Sequence, residues 1–254
     1  MSKIADKTSD NVKKLEHICL ETKVKAIVIG NKDYKEKDML VTLFTLEEGI
    51  ITVTFKGVKN TNAKLKAAKE IFSFGDFIYV KGKTNVVVSA DIIDSFYDIT
   101  KNLSNFYSAC NILKIIRTVL PEGETSPSLF VDTLKALNVL SENKIDSIYV
   151  LNKFLIRVFE GFGYKFNLNK CSTCGCDFLS HRFMNLRYGD ITCFNCRVGE
   201  VEEISPSTYQ ALRILSQTDY SNLQTLKLST NILKDAFTIL HKNYIFRFNQ
   251  KLDV

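Results

Sequence analysis

Hydrophobic positions first recur with a period of two. Val24, Ala26 and Val28 fall at every second position, as in a half-buried strand. Met39–Thr45 and Ile50–Phe55 are apolar, β-branched runs on either side of Glu47-Glu48-Gly49, a hairpin signature. A polar loop runs from Lys56 to Lys69. Ile71–Val80 and Val86–Ile93 follow, joined by Lys81-Gly82-Lys83-Thr84-Asn85. Five strands with no long helical pattern predict a small closed sheet. A five-stranded OB barrel fits that count, and an SH3-like barrel fits the alternation nearly as well.

After Thr100 the period becomes helical. Phe106, Ala109, Leu113, Ile116 and Leu120 share one helix face, and Pro121 stops that helix. Ser126-Pro127 opens a second helix carrying Phe130, Leu134, Leu137 and Leu140. A third runs from about Asp146 to Phe162, with Ile148, Leu151, Leu155, Val158 and Phe162 inward. Ser205-Pro206 opens a fourth, and a last covers about Asn231 to Phe248. The predicted fold is multi-domain α+β. A polar extension occupies 1–22, an OB-fold barrel 23–98, and a helical domain 99–254 with a cysteine module inserted at 168–199.

Composition adds limits. The chain has 254 residues, 45% hydrophobic and 24% charged, which is enough to bury a core. The net charge of +6 is a mild basic bias. No run of about 18 apolar residues occurs, so no membrane helix is expected. The first residues are charged and lack the apolar stretch of a secretory signal. Seven cysteines, an odd number with four in metal spacing, favour a reducing, cytoplasmic compartment.

Those four carry the sharpest local signal. Cys171-x2-Cys174 and Cys193-x2-Cys196 have zinc-ribbon spacing. Each pair turns tightly enough for both thiolates to reach one ion, and two pairs complete a tetrahedron. Four thiolates leave no position for water, so the expected Zn2+ is structural. Cys176 could replace Cys174; the matching x2 spacing favours Cys174. Cys19 and Cys110 are isolated.

Catalytic patterns fail on their context. Gly82-Lys83-Thr84 resembles the end of a phosphate-binding loop, but Phe77 stands where its first glycine belongs and no helix follows. Gly161-Phe162-Gly163 reads as a helix end. His17, His181 and His241 are scattered. Asp33, Glu36 and Asp38 interleave with Lys32, Lys35 and Lys37, the mark of a solvated loop. No enzyme is expected.

The excess positive charge is local. Lys56, Lys59, Lys64, Lys66, Lys69, Lys81 and Lys83 face only Glu70 and Asp76 in the same stretch. Phe44, Phe55, Phe72, Phe74, Phe77 and Tyr79 lie nearby. Lysines for phosphates and rings for bases are what single-strand binding uses, although most of these rings suit a barrel core. Lys56, Lys59, Lys64, Lys66 and Lys69 are the candidate DNA contacts.

Taken in order, Ala26-Ile27-Val28-Ile29, Lys35 through Thr45, Gly49-Ile50-Ile51 and Lys56-Gly57-Val58-Lys59 resemble the amino-terminal barrel of the RecO family. Phe154-Leu155-Ile156-Arg157, Gly161-Phe162-Gly163-Tyr164 and the paired cysteines resemble the end of its central helix and its zinc module. The likeness spans about residues 23 to 200. It implies an OB-fold domain, a helical domain and a four-cysteine zinc site. It implies binding to single- and double-stranded DNA and annealing of complementary strands. It further implies contact with the tail of the single-strand-binding protein and, with RecR, loading of RecA, in a cytoplasmic, nucleoid-associated setting. The segment before residue 23, the lysine-rich rather than arginine-rich Lys59-Asn60-Thr61-Asn62, and Cys176 stand outside the pattern. A zinc-ribbon RNA- or transcription-related enzyme and a protein-only scaffold are the competing readings.

Overall fold

The computed structural model describes residues 21–60, 65–163, 168–177 and 182–253. The extension up to residue 20, with His17 and Cys19, lies outside them, as do Lys64 and His181. The period-two segment forms β1 (Glu21–Tyr34), β2 (Asp38–Thr45), β3 (Gly49–Phe55), β4 (Phe74–Val80) and β5 (Asn85–Asp94). They close as a barrel in the order β1-β2-β3-β5-β4. β3 and β5 pair in parallel, Val53 with Asn85, while β4 returns antiparallel to β1. That path is the five-stranded OB barrel, and it decides between the two barrels that alternation leaves open.

β1 starts at Glu21, paired with Val80, two residues inside the expected polar extension, and two other strand limits differ further. β1 continues past Val28 to Tyr34, because Asn31 to Tyr34 pair with β2 through the backbone and need no apolar side chains. β4 starts at Phe74, not Ile71. Phe72 has a left-handed φ of 73° and cannot continue a ladder. Its N–H donates to the Val28 carbonyl at 2.9 Å, and the Val28 N–H donates to Ser73 O at 2.9 Å. The segment thus patches the β1 bulge between Val28 and Gly30.

Val24, Ala26, Val28, Val41, Leu43, Val53, Phe55, Phe77 and Tyr79 fill the barrel. Each large buried side chain contributes on the order of 2 kcal/mol. Gly75 is required where β4 meets β5: a Cβ there would lie 2.1 Å from Asp91 O.

The second unit holds α1 (Leu103–Val119), α2 (Pro127–Glu142), α3 (Ser147–Gly161), α4 (Pro206–Gln217) and α5 (Thr230–Phe248). Side-chain caps start all of them but α2, whose Ser126 makes no capping hydrogen bond. Asn102 caps α1 through Ser104 N and Asn105 N, Asp146 caps α3 through Ile148 N, and Ser205 caps α4 through Thr208 N. Pro127 and Pro206 occupy first-turn positions. α3 departs from the one-faced expectation. Val150, Asn152, Lys153, Phe154, Ile156 and Phe159 are buried along with Leu151, Leu155 and Val158. It packs against α1, α2, α4 and α5 and is the central rod of this unit. Lys153 is only 4% exposed, and its Nζ donates to Ser216 O at 3.0 Å.

Between α3 and α4 sits a three-stranded sheet, ordered β7-β6-β8, from β6 (Arg182–Asn185), β7 (Ile191–Cys193) and β8 (Val201–Ile204).

Candidate metal centre and nucleic-acid interface

Backbone turns bring the first cysteine pair to the end of β7. Gly175 N donates to Cys171 O at 2.9 Å, and Ser172 N donates to Ile191 O at 3.0 Å. Gly175 adopts φ 71°, a turn that suits glycine. Cys193 ends β7, and Cys196 follows in the short turn of Phe194–Cys196. The result gathers Cys171, Cys174, Cys193 and Cys196, whose sulfurs all lie within 4.8 Å of one another.

This donor set fits a thiophilic ion. Zinc–sulfur bonds of about 2.3 Å in a tetrahedron separate the sulfurs by about 3.8 Å. Cys174 Sγ and Cys193 Sγ are 3.9 Å apart. The thiols also compete for protons. Burial works to raise Cys171, but N–H donation from the Cys174, Cys193 and Thr173 backbone carries it down to about 6. Cys196 is pushed up to about 12, chiefly through its hydrogen bonds to Cys174 and Cys193. One ionised thiol in the group thus discourages the next. A divalent cation would remove that conflict, because every ligand thiol could then be a thiolate.

The ribbon is fastened to α5. Asn243 Nδ2 donates to Leu186 O at 3.0 Å, Arg247 Nε donates to Asn243 Oδ1 at 2.8 Å, and Lys242 pairs with Glu202 at 2.6 Å. Gly189, at φ 71°, leaves room for Arg247: a Cβ there would come within 2.5 Å of Nη2.

On the barrel, the basic residues gather where sequence distance hides them. Tyr34 pairs with Asp38, so Lys35-Glu36-Lys37 is a three-residue hairpin turn. The loop after β3 lies against that turn. Lys59 N donates to Lys37 O at 3.2 Å, Gly57 N donates to Asp38 Oδ1 at 2.8 Å, and Lys59 Nζ pairs with Asp33 at 2.9 Å. Lys32, Lys35, Lys37, Lys56 and Lys59 are all exposed on the two segments. The two segments carry these five lysines against Asp33, Glu36 and Asp38, a net charge of +2 that leaves the corner electropositive.

The five candidate lysines differ in exposure and pairing. Lys56 and Lys66 are exposed and, among the described residues, have no carboxylate partner. Lys59 is exposed but paired with Asp33. Lys69 keeps only 16% of its side chain exposed and pairs with Glu70. Lys64 lies outside the described residues. Sequence reasoning passed over Lys35 and Lys37, and also Tyr34, whose ring lies 5.1 Å from Lys35 Nζ. Of the barrel aromatics, Phe44, Phe55, Phe72, Phe77 and Tyr79 are at most 1% exposed and cannot meet a base. These five rings therefore belong to the protein's interior. The Gly82-Lys83-Thr84 segment joins β4 to β5, as its lack of a following helix implies.

A closed OB barrel with a lysine corner, in a chain that also carries a helical unit with a four-thiol ribbon, defines an OB-fold protein of the nucleic-acid-handling kind. The family model for Recombination protein O N terminal matches residues 20–96, and that for Recombination protein O C terminal matches residues 100–252. The chain belongs to this family of DNA repair and recombination proteins. It is 27% identical over 219 residues to the DNA repair protein RecO of Clostridium novyi, covering 86% of each chain. It is 28% identical over 237 residues to that of Clostridium kluyveri, covering 91% of this chain and 92% of the relative. Against that of Acetivibrio thermocellus the identity is 26% over 233 residues, covering 87% and 93%.

Among the described residues, no helix is long and apolar enough to cross a membrane.

Proposed function

We propose that this chain binds single- and double-stranded DNA through the lysine corner of its barrel and anneals complementary strands. With RecR it helps load RecA onto strands coated by single-strand-binding protein, whose tail its helical domain engages. It acts in the cytoplasm, at the nucleoid, and by binding rather than by catalysis. The observation that carries this reading is the meeting of the β1–β2 turn with the loop after β3. It sets Lys35, Lys37 and Lys56 on one surface, and Lys64 and Lys66 follow in the sequence. Phosphate contacts carry no sequence information, which suits a protein that must accept any strand. Lysine gives point charges without arginine's bidentate fork, so contacts of this kind are individually weak and additive.

The ion is zinc and its role is structural. Four thiolates satisfy its coordination and leave no site for a reacting water. Bound there, it holds the ribbon in the shape that α5 grips.

The test is annealing of two complementary fluorescent oligonucleotides, followed by energy transfer at low salt without any nucleotide cofactor. Acceleration by the folded, metal-loaded protein supports the mediator reading. No acceleration and no binding to either oligonucleotide would shift the assignment to a protein-only scaffold.

A further inference from the structure

Five cysteines converge on the ribbon, one more than a tetrahedral ion can use. Cys176 lies outside the tight group of four. Its Sγ is nevertheless 3.3 Å from Cys174 Sγ, and it also interacts with the Cys193 thiol. Its backbone belongs to the same turn: Cys171 N donates to Cys176 O at 3.0 Å. Gly175, between the two thiols, takes the left-handed conformation that folds them back toward the centre. Cys171 is buried, whereas Cys174 and Cys176 are both exposed. The first knuckle therefore has one inner anchor and two outer thiols.

We infer that Cys174 and Cys176 are interchangeable ligands: Cys171, Cys193 and Cys196 hold the ion together with either outer thiol. The inference rests on reading the group as a metal centre. Spacing permits both, since Cys171-x2-Cys174 and Cys171-x4-Cys176 each fall within the range that zinc knuckles use. Reach permits both as well. One χ1 rotamer change moves a cysteine sulfur by about 3 Å, which is close to the separation of the two sulfurs. Zinc has no geometric preference of its own that would reject the exchanged ligand. The inner positions have no such reserve. Among the described residues Cys171 is the one buried thiol of the group; Cys174 and Cys176 are both exposed and alternate at a single outer vertex, so loss of Cys171 leaves its inner vertex unfilled.

The full-length protein tests this through metal uptake. Wild type, Cys174→Ser, Cys176→Ser, the double variant and Cys171→Ser are each titrated with Co2+, then with Zn2+ in competition. Each outer single variant should bind one equivalent with the visible spectrum of a tetrathiolate site, within roughly ten-fold of wild-type affinity. The double variant and Cys171→Ser should lose the tetrathiolate spectrum and at least about 100-fold in affinity. A Cys174→Ser protein as impaired as Cys171→Ser, with Cys176→Ser unaffected, overturns the exchange and makes Cys174 the sole outer ligand. Failure of wild type to bind either metal overturns the metal-centre reading itself. Alkylation of metal-loaded wild type by iodoacetamide, followed by peptide mapping, needs no variant to fold. Label divided between Cys174 and Cys176 supports exchange, and label on Cys176 alone contradicts it.

Discussion

Lys59 Nζ lies 2.9 Å from Asp33 Oδ1, a contact between the end of β1 and the loop that follows β3. It draws two separated basic segments into one surface, and it spends part of that surface's charge in doing so. Asp33→Asn should release Lys59 and tighten single-strand binding by roughly two- to five-fold at low salt. Stability should change by less than about 1 kcal/mol, since the Asp33 carboxylate is solvent-exposed. Lys59→Ala should weaken binding instead. Fluorescence anisotropy on both variants checks the sign. Equal weakening by both would mean that the pair shapes the loop and that its charge does not matter.

Metal removal should act on one unit only. The ribbon is tied to α5 through Asn243 and Lys242, so its collapse should loosen the helical unit. A chelator, or Cys171→Ser, should lower that unit's melting temperature by on the order of 10 °C. Binding of a short single strand to the barrel should survive in part. Scanning calorimetry with and without chelator, beside the binding assay, separates the two effects.

Gly75 and Gly82 make a matched pair on the barrel. A methyl group at Gly75 would meet Asp91 O at 2.1 Å and Ile92 Cα at 2.9 Å, both backbone atoms that cannot step aside. At Gly82 the nearest atom is Thr84 O at 3.5 Å. Gly75→Ala should cost about 3 kcal/mol or more, and Gly82→Ala should stay within about 0.5 kcal/mol. Urea unfolding of each variant measures the difference.

His241 gives the helical unit a pH dependence. Its Nε2 accepts from Leu252 N at 2.9 Å, which requires the neutral ring. Burial, with Lys251 and Lys114 nearby, holds its pKa below the ordinary value of 6.5. The unfolded chain therefore takes up a proton that the folded chain resists. This contribution is fully present above pH 6.5 and is lost as pH falls through that value toward the folded pKa. His241→Gln keeps an acceptor that does not titrate. Between pH 7.5 and 5.5, wild type should lose more stability than the variant, as thermal melts at matched ionic strength would show; parallel loss would exclude His241 as the source.

What the sequence could disclose follows from the range of each signal. The cysteine quartet was legible because its spacing is local and its chemistry narrow. The helix starts at Pro127 and Pro206 were legible for the same reason. The barrel was legible as a barrel but not as a topology, because the parallel pairing of Val53 with Asn85 depends on closure. The lysine corner was half legible. Lys56 and Lys59 stood out in a run, whereas Lys35 and Lys37 looked like a solvated alternation with Glu36 and Asp38. Only the β1–β2–β3 register brings the two sets together. The helical period of α3 pointed to one apolar face, yet Val150, Phe154, Ile156 and Phe159 fill the others. Such a helix shows a moment and still lies in the middle of the unit.

The most direct test of the central claim is the salt dependence of single-strand binding for wild type and for Lys35→Ala/Lys37→Ala/Lys56→Ala. About four neutralised phosphates should give wild type a log–log slope near −3. Removing three of those contacts should weaken binding at low salt and flatten the slope to about −1. A triple variant with the wild-type slope and affinity would contradict the account and place the DNA surface elsewhere on the molecule.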